Sequence, residues 1–184
     1  MKKILLILFL TLAVAVMAAC DSGPGDTSTV TSEPASTVSE TTSRAETVNA
    51  ATGYIFTANG VSFGVGDLSE QIVEKLGRPS ADDVVTTDSC AFGGKDTVYY
   101  YPSFEISAND ETGEFVIYCI YLKDDTVSTQ EGAYVGMAPA EVKDIYGDPA
   151  EETEGGIIYY KDRMKLSFIL KDGAVAAISY YVNN

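Results

Sequence analysis

An internal repeat constrains this chain more than any other feature. Val65-Gly66-Asp67-Leu68-Ser69-Glu70-Gln71-Ile72-Val73-Glu74-Lys75-Leu76-Gly77-Arg78-Pro79 aligns with Val135-Gly136-Met137-Ala138-Pro139-Ala140-Glu141-Val142-Lys143-Asp144-Ile145-Tyr146-Gly147-Asp148-Pro149 at a constant offset of 70 residues. Each copy reads Val-Gly, a helical stretch, then Gly-x-Pro. Leu68, Ile72 and Leu76 recur at i, i+4 and i+8, as do Ala138, Val142 and Tyr146, so each helix offers one apolar stripe. Asp67 is placed to cap the first helix, with Glu70 completing a capping box. Pro139 suits the first turn of the second, where its missing N–H costs nothing. Gly77 and Gly147 can end the helices, and the prolines two residues on prevent resumption.

Strand patterns follow each helix. Near 155–161, 163–170 and 174–182 the chain alternates, most clearly at Met164, Leu166, Phe168 and Leu170 against Lys165, Ser167 and Ile169. Lys171-Asp172-Gly173 is a hairpin turn. Ala176, Ile178, Tyr180 and Val182 are expected to face one way, with Val175, Ala177, Ser179 and Tyr181 facing the other. The first copy places its strands near 97–101, 103–108 and 114–122, with Asn109-Asp110-Glu111-Thr112-Gly113 as the matching turn. Simple alternation puts Val116, Tyr118, Ile120 and Leu122 toward the helix, and Ile117, Cys119 and Tyr121 away from it. Residues 80–96 form a longer connection present in the first copy alone. A unit of one helix and three strands has too little core to be secure alone. The expectation is therefore an α+β fold: two tandem copies of a helix plus a three-stranded antiparallel sheet, residues 53–127 and 128–184, in one compact body.

Gly136 and Val142 with five residues between them, a short helix, Gly147-x-Pro149, Tyr159-Tyr160, and Asp172-Gly173-x-Val175-x-x-Ile178 together resemble the unit of the β-lactamase-inhibitor-protein-like superfamily. The outer-membrane assembly lipoproteins of the SmpA/OmlA type are similar, as are the tandem-repeat surface lipoproteins of Firmicutes. The resemblance spans roughly residues 60–184. It implies the same tandem α+β fold, and for function either a surface binding module or an inhibitor of a secreted enzyme.

The N-terminus predicts export. Lys2 and Lys3 precede an apolar run from Ile4 to Val16, shorter than the ~20 residues a spanning helix needs. Met17-Ala18-Ala19-Cys20 then resembles the bacterial lipobox. Residues 1–19 are read as a signal peptide and Cys20 as the lipidated first residue of the mature protein. In 21–52, fourteen of 32 residues are Ser or Thr and none is aromatic. Such a segment buries too little apolar surface to offset its ordering entropy, which predicts a disordered tether. The expected location is the cell membrane, lipid-anchored and facing outward, or the periplasm in a Gram-negative source.

Residues 53–184 carry 22 acidic and 9 basic side chains, a net charge of −13. This disfavours nucleic acid and anionic lipid head groups as partners and suits basic surfaces. The chain contains no histidine, which removes the commonest general base and the commonest transition-metal ligand. No nucleophile motif, phosphate loop or dinucleotide fingerprint occurs. The reading is a non-enzyme without metal or cofactor. With Cys20 lipidated, Cys90 and Cys119 remain. The oxidising setting of an exported protein makes a disulfide between them reasonable, pinning the 80–96 connection; two separate thiols are the alternative.

All 12 tyrosines lie within 54–181, and there is no tryptophan. Neighbours on a strand point to opposite faces, so about half of them must leave the helix-packed core. Tyr99, Tyr101, Tyr121, Tyr159 and Tyr181 are the candidate ligand-binding residues, since a ring with a hydroxyl suits protein or glycan recognition. Tyrosine is also a good strand former on a half-wet surface. The expected function is a non-catalytic surface module that binds protein or cell-wall polymer through its sheet. The alternative is a proteinaceous inhibitor of a secreted or surface enzyme.

Overall fold

The computed structural model describes residues 53–183; the expected signal peptide, Cys20 and tether lie outside them. The chain opens with strands β1 (Phe56–Ala58) and β2 (Val61–Phe63), then helix α1 (Ser69–Leu76) and a 3-10 turn over Ala81–Asp83. Strands β3 (Val84–Asp88), β4 (Lys95–Tyr100), β5 (Phe104–Asn109) and β6 (Val116–Leu122) come next. Helix α2 (Pro139–Tyr146) precedes β7 (Glu151–Thr153), β8 (Gly156–Lys161), β9 (Met164–Lys171) and β10 (Ala174–Val182). β1 and β2 pair only with each other, and the other eight strands form one sheet in the order β3-β4-β5-β6-β10-β9-β8-β7. Each neighbouring pair is antiparallel. The fold is α+β, and all six expected strands are present. The sheet also holds β3 and β7, so four strands follow each helix rather than three. β3 arises from the segment read as a plain connection, where Val84-Val85-Thr86-Thr87 supplies the β-branched side chains that a pleated surface favours.

Both helices are entered in the same way. Gly66 N–H donates to the Ile117 carbonyl at 2.8 Å, and Ile117 N–H to the Asp67 carbonyl at 2.9 Å. Gly136 N–H donates to the Val175 carbonyl at 2.7 Å, and Val175 N–H to the Met137 carbonyl at 2.9 Å. The chain thus pairs briefly with a central strand before it turns into a helix. Gly66 and Gly136 sit at φ of 99° and 101°, backbone that a side chain would strain. The expected cap by Asp67 does not form. Leu68 is the N-cap residue, and the Ser69 N–H is taken by the Phe115 carbonyl at 2.9 Å. With that donor satisfied by backbone, the Asp67 carboxylate turns back and accepts Gly64 N–H at 2.8 Å. At α2, Pro139 does open the helix, and the Glu141 carboxylate accepts Ala138 N–H at 2.8 Å.

The core lies between one face of the sheet and a layer made of both helices and the β1–β2 hairpin. Register places Tyr99, Ile106, Ile120, Tyr180, Leu166 and Tyr159 in one row across six strands. A second row runs Phe104, Leu122, Ile178, Phe168 and Ile157. α1 adds Ile72, Val73 and Leu76, and α2 adds Val142 with Tyr146 packed beside it. The hairpin supplies Phe56 and Phe63. Phe56 touches Phe63, Phe104 and Tyr180 at ring-centroid distances of 5.5, 5.2 and 6.2 Å. Burying each such ring contributes ~1.5–3 kcal/mol. The hairpin is legible in the sequence as alternation around Asn59-Gly60, a turn pair at φ 50° and 77°, and it lies outside the repeat.

Two bulges change the side-chain alternation. In β6, Cys119 pairs with Ser107 but Ile117 pairs with Ala108, leaving Tyr118 as the extra residue. In β10, Ala177 pairs with Ile169 but Val175 pairs with Leu170, leaving Ala176 as the extra residue. One added residue inverts the facing of everything on its far side. Ile117 and Val175 are therefore buried in the core, against the expectation from strict alternation.

Candidate functional site

The face of the sheet opposite the helices is the candidate site. It begins with a correction to the tyrosine assignments. Tyr99, Tyr101 and Tyr159 are buried, at 2, 8 and 5 % exposure. They lie on the covered side, where Tyr99 donates to Glu70 at 3.2 Å and Tyr159 to the Gly147 carbonyl at 3.0 Å. Tyr101 stacks on Phe104 at 4.6 Å. Tyr121 and Tyr181 are on the open face as expected. The residues joining them are Tyr100 and Tyr160, the neighbours of the ones chosen from the sequence. In Tyr99-Tyr100-Tyr101 and Tyr159-Tyr160 a shift of one residue replaces tyrosine with tyrosine, so polarity carries no information about facing.

Two rows of paired residues build the open face. One runs Tyr100, Glu105, Tyr121, Ser179, Ser167, Ile158 and Glu151. The next runs Val85, Val98, Ser107, Cys119, Tyr181, Lys165 and Tyr160. Tyr100, Tyr160 and Tyr181 are exposed, and Tyr118 and Tyr121 are half-buried. The rings are held from the side. Lys165 lies over Tyr181 at 5.4 Å and Lys123 over Tyr100 at 6.0 Å, geometry in which an ammonium is drawn to a ring face. Lys123 also donates to the Tyr101 carbonyl at 2.8 Å and pairs with Glu105 at 3.5 Å. The Tyr160 hydroxyl donates to Glu151, which raises its pKa above the ordinary phenol value. Tyr181 is raised as well, first by its hydrogen bond with Cys119. The Tyr160 and Tyr181 phenols are thus neutral near pH 7 and present hydroxyls together with ring surface.

The expected Cys90–Cys119 disulfide is not formed; both cysteines are free. Cys119 is buried in the second row between Ser107 and Tyr181, where burial pushes its thiol up to about 11. That keeps it protonated and a poor nucleophile. Cys90 is exposed in the tight loop after β3, which is closed by Ser89 N–H to the Gly94 carbonyl at 3.0 Å and Phe92 N–H to Ser89 Oγ at 3.0 Å. The loop residue that reaches the open face is Phe92, packed on Tyr118 at 5.1 Å. An apolar ring there does the pinning that the cystine was expected to do.

A groove of about 460 Å³ lies between the hairpin, the turn after β4 and residues 126–128. Thr57, Ser103, Thr126 and Ser128 supply hydroxyls, and Tyr101 and Phe104 supply ring surface. Its lining has no carboxylate, amine or thiol, and burial pushes the Tyr101 phenol up to about 12. Among the described residues no three His, Cys, Asp or Glu side chains converge in a way that could hold a metal ion, and no helix is long and apolar enough to cross a membrane. Family models, curated proteins and solved structures give no match to this chain.

Proposed function

We propose that the folded part is a non-catalytic binding module that engages protein or cell-wall polymer through the open face of its sheet. The observation carrying this reading is the set Tyr100, Tyr121, Tyr160 and Tyr181 in two adjacent rows on a face that no other layer covers among the described residues. Aromatic rings with a polar tip provide contact area at low entropic cost, and they dominate many recognition surfaces. Lys123 beside Tyr100 and Lys165 beside Tyr181 set positive charge on this face alongside Glu105 and Glu151, so a partner can meet both signs there.

The module is further proposed to be two tandem copies of one unit, tethered to the cell membrane by a lipidated Cys20. Three features support the duplication: the 70-residue offset, the matching hydrogen bonds at Gly66 and Gly136, and bulges one residue beyond Ile117 and Val175. Each half runs helix then four strands, and each half's last strand lies at the centre of the sheet.

The test is capture of the full chain, solubilised in mild detergent, on cell-envelope protein and on purified cell-wall polymer. A variant with Tyr100, Tyr121, Tyr160 and Tyr181 all changed to Ser is expected to retain its circular dichroism and lose at least tenfold in capture. Equal capture by the folded variant would remove the open face from the reading. For the anchor, Cys20→Ala is expected to release the protein from membranes or to leave an unprocessed precursor.

A further inference from the structure

The two edges of the sheet differ in how they meet solvent. An unpaired edge strand presents a row of backbone donors and acceptors to any extended chain, and proteins blunt such edges with shortness, charge, proline or bulges. β7 is blunted: it has three residues, two of them Glu151 and Glu152, with Glu154 next. Lys143 further occupies Glu152 at 2.8 Å. β3 is not. It is five residues long, pairs with β4 without a bulge, and is exposed at every position after Val84.

Hydrogen bonding determines what β3 offers. Ser89 N–H reaches the Gly94 carbonyl, so the Ser89–Gly94 pair bonds inward. Lys95, opposite Asp88, turns its N–H to Asp110 Oδ1 at 2.5 Å and its carbonyl to Asp110 N–H at 3.1 Å, away from β3. Antiparallel pairs alternate. Thr87 and Val85 therefore bond to β4, while Asp88, Thr86 and Val84 direct their polar groups outward. The Val84 N–H is taken by Ala81. Among the described residues no partner meets the N–H groups of Thr86 and Asp88, and Thr86 presents both a donor and an acceptor at the centre of the edge.

The side chains narrow the partner. Val85, 44 % exposed, lies beside Val98 on the open face, and Thr86 bonds Thr97 at 2.8 Å on the covered side. Asp82, Asp83 and Asp88 flank this apolar and hydroxyl centre. A second copy of the chain would bring the same aspartates together in a protein of net charge −15, which like-charge repulsion opposes. We propose that β3 is a docking edge for an extended segment of another protein, β-branched at its centre and bearing Lys or Arg on both sides, which adds as a ninth strand. Main-chain hydrogen bonds give such additions their affinity, and alternate side chains give specificity. This proposal uses backbone groups and stands independently of the tyrosine face.

The probe is the peptide Lys-Lys-Thr-Val-Thr-Val-Lys-Lys, titrated into the full chain in detergent and followed by anisotropy and amide hydrogen exchange. Binding is expected to slow exchange at Thr86 and Asp88, and to weaken at least tenfold in Thr86→Pro, which removes the central outward donor and no backbone bond to β4, although the side-chain bond to Thr97 is lost with it. Glu152→Pro on the opposite edge is expected to bind as the parent does. Of two peptides N-methylated at alternate residues in opposite phases, one should lose binding and the other keep it. An analogue with Glu replacing Lys should bind at least tenfold more weakly. If Thr86→Pro does not fold, Val85→Lys tests the same edge with a guarding charge on an exposed side chain. Absence of binding, unchanged affinity in both edge variants, or binding without protection at Thr86 overturns the proposal. A concentration-dependent dimer that Thr86→Pro abolishes also overturns it, in favour of a second copy. None of these outcomes depends on the four-tyrosine variant.

Discussion

Tyr99 and Tyr100, Tyr159 and Tyr160, Tyr180 and Tyr181 are three pairs of identical neighbours, and each pair is divided between the two faces of the sheet. Tyr99, Tyr159 and Tyr180 are buried under the helices, and Tyr100, Tyr160 and Tyr181 are 37–41 % exposed. The comparison separates what a residue type contributes from what its position contributes. On the covered face the ring fills volume and its hydroxyl must find a partner or be left without one. On the open face the ring is partly wet and its hydroxyl has water available. One side chain thus serves stability on one face and is available for recognition on the other.

The largest effect that can break this contrast is at Tyr180, which is fully buried and touches Phe56. Tyr180→Ala is expected to cost about 3–5 kcal/mol, as other large-to-small core substitutions of an aromatic ring do. Equilibrium urea unfolding measures it, and a loss near that of Tyr181→Ala would mean that the two faces are not energetically distinct.

A smaller effect concerns Asp67, a buried carboxylate on the covered side. Burial raises its pKa, opposed by the Gly64 hydrogen bond and by Lys75. A folded value above the unfolded one means that the native state binds this proton more tightly. The group's contribution is therefore most favourable below the unfolded pKa and is lost as pH rises through the folded one. Asp67→Asn keeps an acceptor for Gly64 N–H and removes that loss with rising pH. Asp67→Leu leaves the donor unpaired and is expected to cost about 1–3 kcal/mol. The stability of the parent relative to the Asn variant should fall as pH rises through and above the ordinary carboxylate range; a difference that stays constant there contradicts the upward shift.

Next in size is a change of opposite sign. The Tyr180 hydroxyl is buried without a hydrogen-bond partner among the described residues. Tyr180→Phe removes an unpaired polar group and keeps the ring, so it is expected to be neutral or to stabilise by up to about 1 kcal/mol. Tyr146→Phe provides the contrast, because its hydroxyl donates to Glu131 at 2.7 Å and accepts from the Thr129 hydroxyl at 2.8 Å. That variant should destabilise. The same sign for both would show that partner geometry is not what distinguishes the covered hydroxyls.

The smallest expected effects are on the open face. Tyr160→Ala and Tyr181→Ala should each change unfolding free energy by less than about 1 kcal/mol, the usual range for surface positions without a special role. Thiol labelling sharpens the same point: Cys90 should react with a thiol reagent in folded protein, and Cys119 only after unfolding.

Local physics made much of this molecule legible from the sequence. Helix positions follow from the Leu68–Ile72–Leu76 and Ala138–Val142–Tyr146 spacing, helix ends from Gly77 and Gly147, and the β9–β10 turn from Asp172-Gly173. Each depends on contacts within a few residues, which the sequence alone supplies. The site was less legible. Facing across Tyr99-Tyr100-Tyr101 cannot be read when both alternatives place tyrosine on the same face. The bulges at Tyr118 and Ala176 depend on pairing with β5 and β9, partners from elsewhere in the chain.

The sequence by itself determined where the chain turns, which segments are helical, and that tyrosine-rich strands would exceed what one core can cover. Tertiary structure alone decided that β6 and β10 meet at the centre of one sheet, that Phe56 and Phe63 fill its covered face, and which tyrosine of each pair is left in solvent. The physical reason is range. Turns and helices are set by dihedral preferences and by neighbours three or four residues apart. Strand facing is set by register against a partner, and one extra residue in that partnership turns every side chain beyond it to the opposite face.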